Sequence, residues 1–304
     1  MHKSILIIIS LIIVVIDGQI GFFPDCKSGP LSSFPICDVS LPMNERSIDL
    51  VNRMTINEKA SWLVNTVESI DRLGLPAYQW WNEALHGVMF RKSHNDIPQA
   101  TQFPCPMNLA ATFNLTLIDH IARIISTEAR AANNENITGL DFFTPNLNIV
   151  RDPRWGRAQE TPGEDPLLTS EYVYRLVTGL QQGEDERYFK IGATCKHFVS
   201  YDLELWNGTD RWHFDAQVSD LDLVETYLPP FESCIRNARA ASIMSSLNAV
   251  NGIPSCANKF FLQTIARFTF SRKKIMHVYR INCLEIHMIS MVMLFVIAVE
   301  FNRL

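Results

Sequence analysis

The sequence predicts an α/β fold built as an incomplete (β/α)8 barrel of the TIM type, on three observations. Short apolar runs alternate with stretches of helical periodicity, the pattern of strands joined by crossover helices. Polar clusters recur just past the ends of those runs, where such a barrel gathers its working residues. No Gly-x-Gly-x-x-Gly follows an early strand, which disfavours a doubly wound sheet.

The elements follow in order. Lys3 precedes Ser4 to Ile16, a run of almost only Ile, Leu and Val. It is short for a membrane span and fits a secretory signal peptide over residues 1–20, with an uncleaved anchor as the alternative. Residues 21–42, rich in Pro, Ser and Gly, are expected as an extended lead. Thr55-Ile-Asn-Glu58 is a capping box that opens a short helix through Leu63. Residues 117–133 place Ile118, Ile121, Ala122, Ile125 and Ala129 on one helical face.

Leu140-Asp-Phe-Phe143 and Leu147-Asn-Ile-Val150 then suggest a strand and its continuation, followed by a helix over 167–181. Ile191-Gly-Ala-Thr-Cys195 is a buried strand ending at Lys196-His197. Ser219-Asp-Leu-Asp222 caps a helical stretch, 220–239, that Pro229-Pro230 should break. Ala241-Ser-Ile-Met-Ser245 is a further buried strand. The expected organisation is signal peptide 1–20, lead 21–42, partial barrel 43–267 and a differing tail, 268–304.

Composition narrows the partners. The chain has 304 residues, 47% hydrophobic and 19% charged, with net charge −5, so no basic excess points to nucleic acid. Seven cysteines in a secreted chain imply pairing with one left over. Cys26 and Cys37 are the expected local bridge. No Cys-x-x-Cys or His-x-x-x-His spacing suggests a metal, and no cofactor is implied. The triplets Asn114-Leu-Thr, Asn136-Ile-Thr and Asn207-Gly-Thr are glycosylation acceptors that agree with secretion. The tail carries five Lys/Arg against two Asp/Glu, then an apolar run from Met288 to Val299. That run is short of the ~20 residues of a spanning helix. Membrane association through it is therefore the weaker reading. The stronger is a segment foreign to the barrel, such as untranslated sequence read as protein, because it begins inside a motif.

Three clusters could carry chemistry. Trp80-Trp-Asn-Glu-Ala-Leu-His-Gly87 sets two indoles beside a carboxylate, which suits a sugar with apolar C–H faces and hydroxyls. The competing reading makes the tryptophans core and Glu83 a solvated loop residue. Arg151-Asp-Pro-Arg-Trp-Gly-Arg157 holds three guanidinium groups that could grip vicinal oxygens. An Arg–Asp brace is the plainer account of Arg151 and Arg154, less so of Arg157. Lys196-His197 is an oddity, since adjacent strand residues face opposite ways and both reach one ligand only if the backbone bends.

With Glu160-Thr-Pro-Gly-Glu-Asp165, Tyr201-Asp202, Trp206-Asn-Gly208, Ser242-Ile-Met244 and Asn251-Gly252, these clusters resemble glycoside hydrolase family 3. The resemblance is to its plant β-xylosidase/α-L-arabinofuranosidase branch and runs from about Cys26 to Arg267. It implies a (β/α)8 barrel followed by an α/β sandwich domain, and retaining hydrolysis through an aspartate nucleophile. It implies a xylo-oligosaccharide or arabinoxylan substrate in the cell wall. It places Glu83, Arg157, Lys196 and His197 on the sugar hydroxyls, with Arg211 and Met244 lining the pocket.

The departures concern the chemistry. No aspartate follows Asp222, so the Trp-Gly-Phe and Val-Ser-Asp segments that the family carries on a later barrel strand do not follow Arg267. Leu247 stands where the family has tyrosine, and Ser245 where it has cysteine. No residue is assigned as nucleophile or acid/base. The expected activity is β-xylosidase-like hydrolysis by family, with this chain inactive. The alternatives are a non-catalytic fragment with residual sugar binding and a tail-anchored secretory-pathway protein.

Overall fold

The computed structural model describes residues 26–89, 99–135, 137–184, 189–271 and 277–279. The expected signal peptide, the Asn136 acceptor and most of the tail lie outside the described residues.

Residues 26–42 are a succession of tight turns with one short 3-10 helix, Pro35–Cys37, and not the extended lead expected. The Cys26–Cys37 disulfide closes them, as expected. The buried Arg46 guanidinium donates twice to the Ile36 carbonyl, at 3.0 and 3.1 Å. That satisfies a buried acceptor and ties the turns to helix α1, Met43–Arg53.

Helix α2, Ile56–Ser61, opens on the expected capping box. Glu58 N–H donates to Thr55 Oγ1, and Thr55 N–H donates to Glu58 Oε2 at 2.7 Å. Strands β1, Thr66–Val67, and β2, Tyr78–Gln79, pair antiparallel. Together with Leu31, Ile36, Leu50 and Trp80 this region has a small core of its own.

The main body begins with helices α3, Pro106–Ala110, and α4, Leu115–Asn134. Ile118, Ile121, Ala122, Ile125 and Ala129 of α4 are buried, the face the periodicity predicts. Strand β3, Asp141–Phe142, follows, and then α5, Pro166–Gln181. Asp165 caps α5 by accepting from Leu168 N–H at 2.7 Å, and Pro166 occupies the first turn, where no N–H is needed. Gly179 lets α5 approach α4 closely: a Cβ there would lie 2.7 Å from that of Ala122.

Strand β4, Gly192–Phe198, is buried along its whole length. A hairpin of β5, Leu205–Trp206, and β6, Thr209–Asp210, stands beyond it, followed by β7, Asp215–Ala216. Helical segments α6, Asp220–Asp222, Leu223–Tyr227, α7, Pro229–Glu232, and Ser233–Asn237 succeed one another, with a bend at Leu228 between the second and the third. The expected break at Pro229-Pro230 falls at Leu228, where the chain bends before α7 begins. Wide turns flank it, Leu228 N–H reaching back five residues to the Leu223 carbonyl, and both prolines sit where α7 restarts.

Strand β8, Ser242–Ser245, comes next, then β9, Ala249–Val250, and β10, Ile253–Pro254. A wide-turned helix, Phe260–Phe270, passes through the boundary expected at Arg267. Strand β11, His277–Tyr279, then pairs with β8, so part of the expected foreign tail occupies a place in the sheet.

The sheet defines the architecture. β3, β4, β8 and β11 are hydrogen-bonded side by side in chain order, all parallel, and Asn82 bridges Phe142 in the same sense. Sequential parallel order is that of a barrel wall, whereas a doubly wound sheet reverses its order part-way. Ala193, Cys195, Phe198 and Ile243 face the helices in the main core. On the other face Thr194 donates to Asp141 Oδ1 at 2.9 Å and shares a hydrogen bond with Ser242. A second disulfide, Cys195–Cys234, fastens β4 to the helix outside it. Cys105 is the one free cysteine among the described residues. Among those residues no helix is long and apolar enough to cross a membrane.

Candidate functional site

Glu83, the loop after β3, the end of β4 and the end of β8 converge at one end of the parallel strands. Glu83 lies one residue past the Asn82–Phe142 bridge. Its carboxylate accepts from Lys196 Nζ at 2.7 and 3.0 Å and from Trp81 Nε1 at 2.9 Å. It is therefore not the solvated residue of the plainer reading, whereas Trp80 is core. The Lys196 side chain is 4% exposed. Burial lowers its pKa, and the Glu83 carboxylate opposes that fall.

The backbone bend foreseen at Lys196-His197 is present. The pairing of β4 with β8 slips between Cys195 and Phe198, a bulge that lets both side chains serve one end of the strand. His197 is buried. Burial first, then the cations Arg157, Lys196 and Arg211, hold its pKa well below the ordinary histidine range. Its ring meets the Tyr201 ring edge-on at 5.0 Å.

Arg157 forks onto Glu160 through Nε to Oε1 at 2.8 Å and Nη2 to Oε2 at 2.6 Å. Burial would lower the guanidinium pKa, but the Glu160 hydrogen bonds raise it. Asn146 Nδ2 donates to the same carboxylate at 3.2 Å. Arg211 donates to Glu204 Oε1 at 2.8 Å, and the Tyr201 hydroxyl donates to Glu204 Oε2. Met244 is buried on β8, one residue past Ile243 and so on the opposite face from the helices. Arg154 and Arg151 are braces, as the plainer reading had it. Arg154 pairs with Asp152 at 2.6 Å, and Arg151 reaches Asp222 at 3.7 Å.

Lys196 pairs with Glu83, Arg157 with Glu160 and Arg211 with Glu204. Three cations meet three anions, so the cluster offers many donors and acceptors with little net charge. That suits a neutral polyhydroxyl ligand and not a phosphate or carboxylate, which would need unpaired cations. Among the described residues no group of three His, Cys, Asp or Glu side chains could hold a metal ion. Asn114 and Asn207 are exposed, Asn114 also capping α4 through its Oδ1 to Leu117 N–H.

Asn148, Glu160 and Glu204 were not among the residues expected to matter singly. Asn148 Nδ2 donates to the His197 carbonyl at 2.8 Å, and its Oδ1 accepts from His197 N–H at 2.9 Å. The signal was present in Asn146-Leu-Asn148, where two amides alternate with the core residue Leu147. The segment is no strand: Asn146 alone bridges to Lys196.

A parallel barrel wall ending in this charge-paired, hydroxyl-matching cluster defines a protein of the glycoside hydrolase class. The chain belongs to glycosyl hydrolase family 3, whose N-terminal domain matches residues 49–271. It is 52% identical over 267 residues to the probable exo-1,4-beta-xylosidase bxlB of Aspergillus fumigatus, covering 85% of this chain and 34% of that protein. It is 52% identical over 250 residues to the exo-1,4-beta-xylosidase bxlB of Emericella nidulans, covering 81% and 33%. Among solved structures it matches the GH3 exo-beta-xylosidase XlnD in complex with a xylobiose aziridine activity-based probe. The TM-score is 0.80 at 47% identity, over 84% of this chain and 34% of that one. Beta-glucosidase 3B from Thermotoga neapolitana matches with a TM-score of 0.65 at 26% identity, over 77% and 34%. The chain thus spans about a third of the length of the curated relatives it matches.

Proposed function

We propose that this chain supplies the sugar-gripping part of a β-xylosidase site, acting on the non-reducing end of xylo-oligosaccharides or on arabinoxylan side chains. Glu83, Arg157, Lys196, His197 and Arg211 bind the sugar hydroxyls, and Met244 lines the pocket. The observation that carries the reading is the Lys196–Glu83 pair held beside His197 at the strand ends. The names of the fungal relatives support the choice of a xylosyl substrate. The relatives reported above are fungal and bacterial, so the plant branch rests on the sequence motifs alone. Secretion to the cell wall rests on the apolar N-terminal run and the glycosylation acceptors.

The division of labour proposed is binding without turnover. Glu83, Glu160 and Glu204 are each paired with a cation, so none of these clustered carboxylates is free to act as a nucleophile. Residues 43–267 are the sugar-binding unit. Purified chain should bind D-xylose and leave an aryl β-xyloside intact. Turnover that Glu83→Ala abolishes would overturn the non-catalytic part. Absence of any xylose binding would overturn the sugar site itself.

A further inference from the structure

Asn148 is bound to His197 three times. Besides the two backbone hydrogen bonds, its Oδ1 lies 3.0 Å from the imidazole Nδ1. The amide cannot be turned round. His197 N–H can only donate and His197 C=O can only accept, so the atom facing the N–H is oxygen and the atom facing the carbonyl is nitrogen. An amide oxygen carries no hydrogen. The Nδ1 beside it must therefore be the protonated nitrogen of the ring.

The consequence falls on the other nitrogen. In a neutral ring with hydrogen on Nδ1, Nε2 holds the lone pair and can only accept. The charged groups around the ring agree. Lys196, Arg157 and Arg211 repel a second proton, while Glu83, Glu160 and Glu204 are each taken by one of those cations. Tyr201 presents its ring, its hydroxyl being engaged with Glu204. His197 Nε2 has no partner among the described residues and is not among the polar atoms sealed from solvent.

We infer that Asn148 is a positioning residue that fixes the His197 tautomer, so that Nε2 accepts a hydrogen bond from a sugar hydroxyl next to the Lys196–Glu83 pair. The ligand half of this inference rests on the sugar-binding reading, and the tautomer half does not. Asn148 itself touches no ligand. A ring of the opposite tautomer would present N–H towards the hydroxyl and require the hydroxyl to accept. Asn148 thus selects which hydroxyl geometry the site tolerates.

Long-range proton–nitrogen correlation NMR on the full chain, labelled with 15N-histidine, reads both halves. His197→Gln identifies the His197 signals. In the wild-type chain Nδ1 should show a protonated-type shift and Nε2 an unprotonated-type shift at neutral pH. The reverse pattern overturns the inference, and this outcome needs no variant of Asn148. Asn148→Asp replaces the amide with an anion, which should raise the His197 titration midpoint by about 1–3 pH units. Asn148→Ala removes the acceptor and should let the Nε2-protonated tautomer appear; a residue serving only as a backbone clip would leave the tautomer as it was, and an unchanged tautomer would count against the positioning role. D-xylose added to wild-type chain should shift Nε2 and leave Nδ1 in place. The expected tautomer with no xylose response refutes the sugar site and leaves the Asn148 assignment standing.

Discussion

Lys196 and Glu83 are 113 residues apart in the chain and 2.7 Å apart in space, joined by an ion pair that is almost wholly inside the protein. The two come from neighbouring regions of one barrel wall, Glu83 from beside β3 and Lys196 from the bulged end of β4. Neither is buried at an acceptable cost without the other.

Removing one partner should therefore be expensive. Glu83→Ala leaves the Lys196 ammonium buried without its anion and should cost about 3–5 kcal/mol in urea unfolding. Glu83→Ala with Lys196→Met should cost less than the sum of the single changes. Additive single effects would mean the pair is not coupled.

His197 should make stability depend on pH on the acid side. It stays neutral in the folded chain, while an unfolded histidine takes up a proton near pH 6.5. Below that pH the unfolded state binds the additional proton, so stability falls as pH falls. Unfolding free energy measured between about pH 6.5 and 5 should drop with acid by up to about 1.4 kcal/mol per unit for this one group. The slope should be shallower by that amount in His197→Gln.

Arg157→Lys should behave as a loss despite the kept charge. An ammonium cannot reproduce the two parallel bonds onto Glu160. The expected cost is about 1–2 kcal/mol, read as a lower urea midpoint at unchanged slope, with weaker xylose binding.

The Cys195–Cys234 bridge closes a span of 39 residues. Replacing both cysteines with alanine should cost about 4 kcal/mol on loop-closure entropy. A thermal melt under non-reducing conditions, wild type against the double variant, measures it.

Gly179→Ala should destabilise by about 1–3 kcal/mol, because the new methyl meets Ala122 and the Asp119 carbonyl at 3.0 Å. Gly179→Ala with Ala122→Gly should recover part of the loss, which the same melt would show.

Helix α4 was legible because its apolar residues recur at helical spacing, whereas the caps Asn114 and Asp165 emerged only in the structure. The ends of β4 and β8 were legible from short apolar runs. The break at Pro229-Pro230 was legible because a proline supplies no N–H to the turn before it, whereas the wide turns on either side of it were not. Residues 147–150 misled because amides alternating with Leu147 imitate a strand, while the chain there only follows the end of β4. The Cys195–Cys234 pairing depends on which helix lies over β4, a packing fact with no local signature. Glu204 escaped notice because its two partners, Tyr201 and Arg211, become neighbours only once the β5–β6 hairpin folds.

The sequential order of the parallel strands sets a timetable. Each wall of the site leaves the ribosome after the one before it, Glu83 first, Arg157 next and Lys196-His197 later. At about 5–20 residues per second, the 113-residue gap holds Glu83 without its ammonium for roughly 6 to 23 seconds. During that interval the Glu83 carboxylate must remain hydrated, and the end of the barrel cannot close over it. Dehydration of this corner therefore waits for β4.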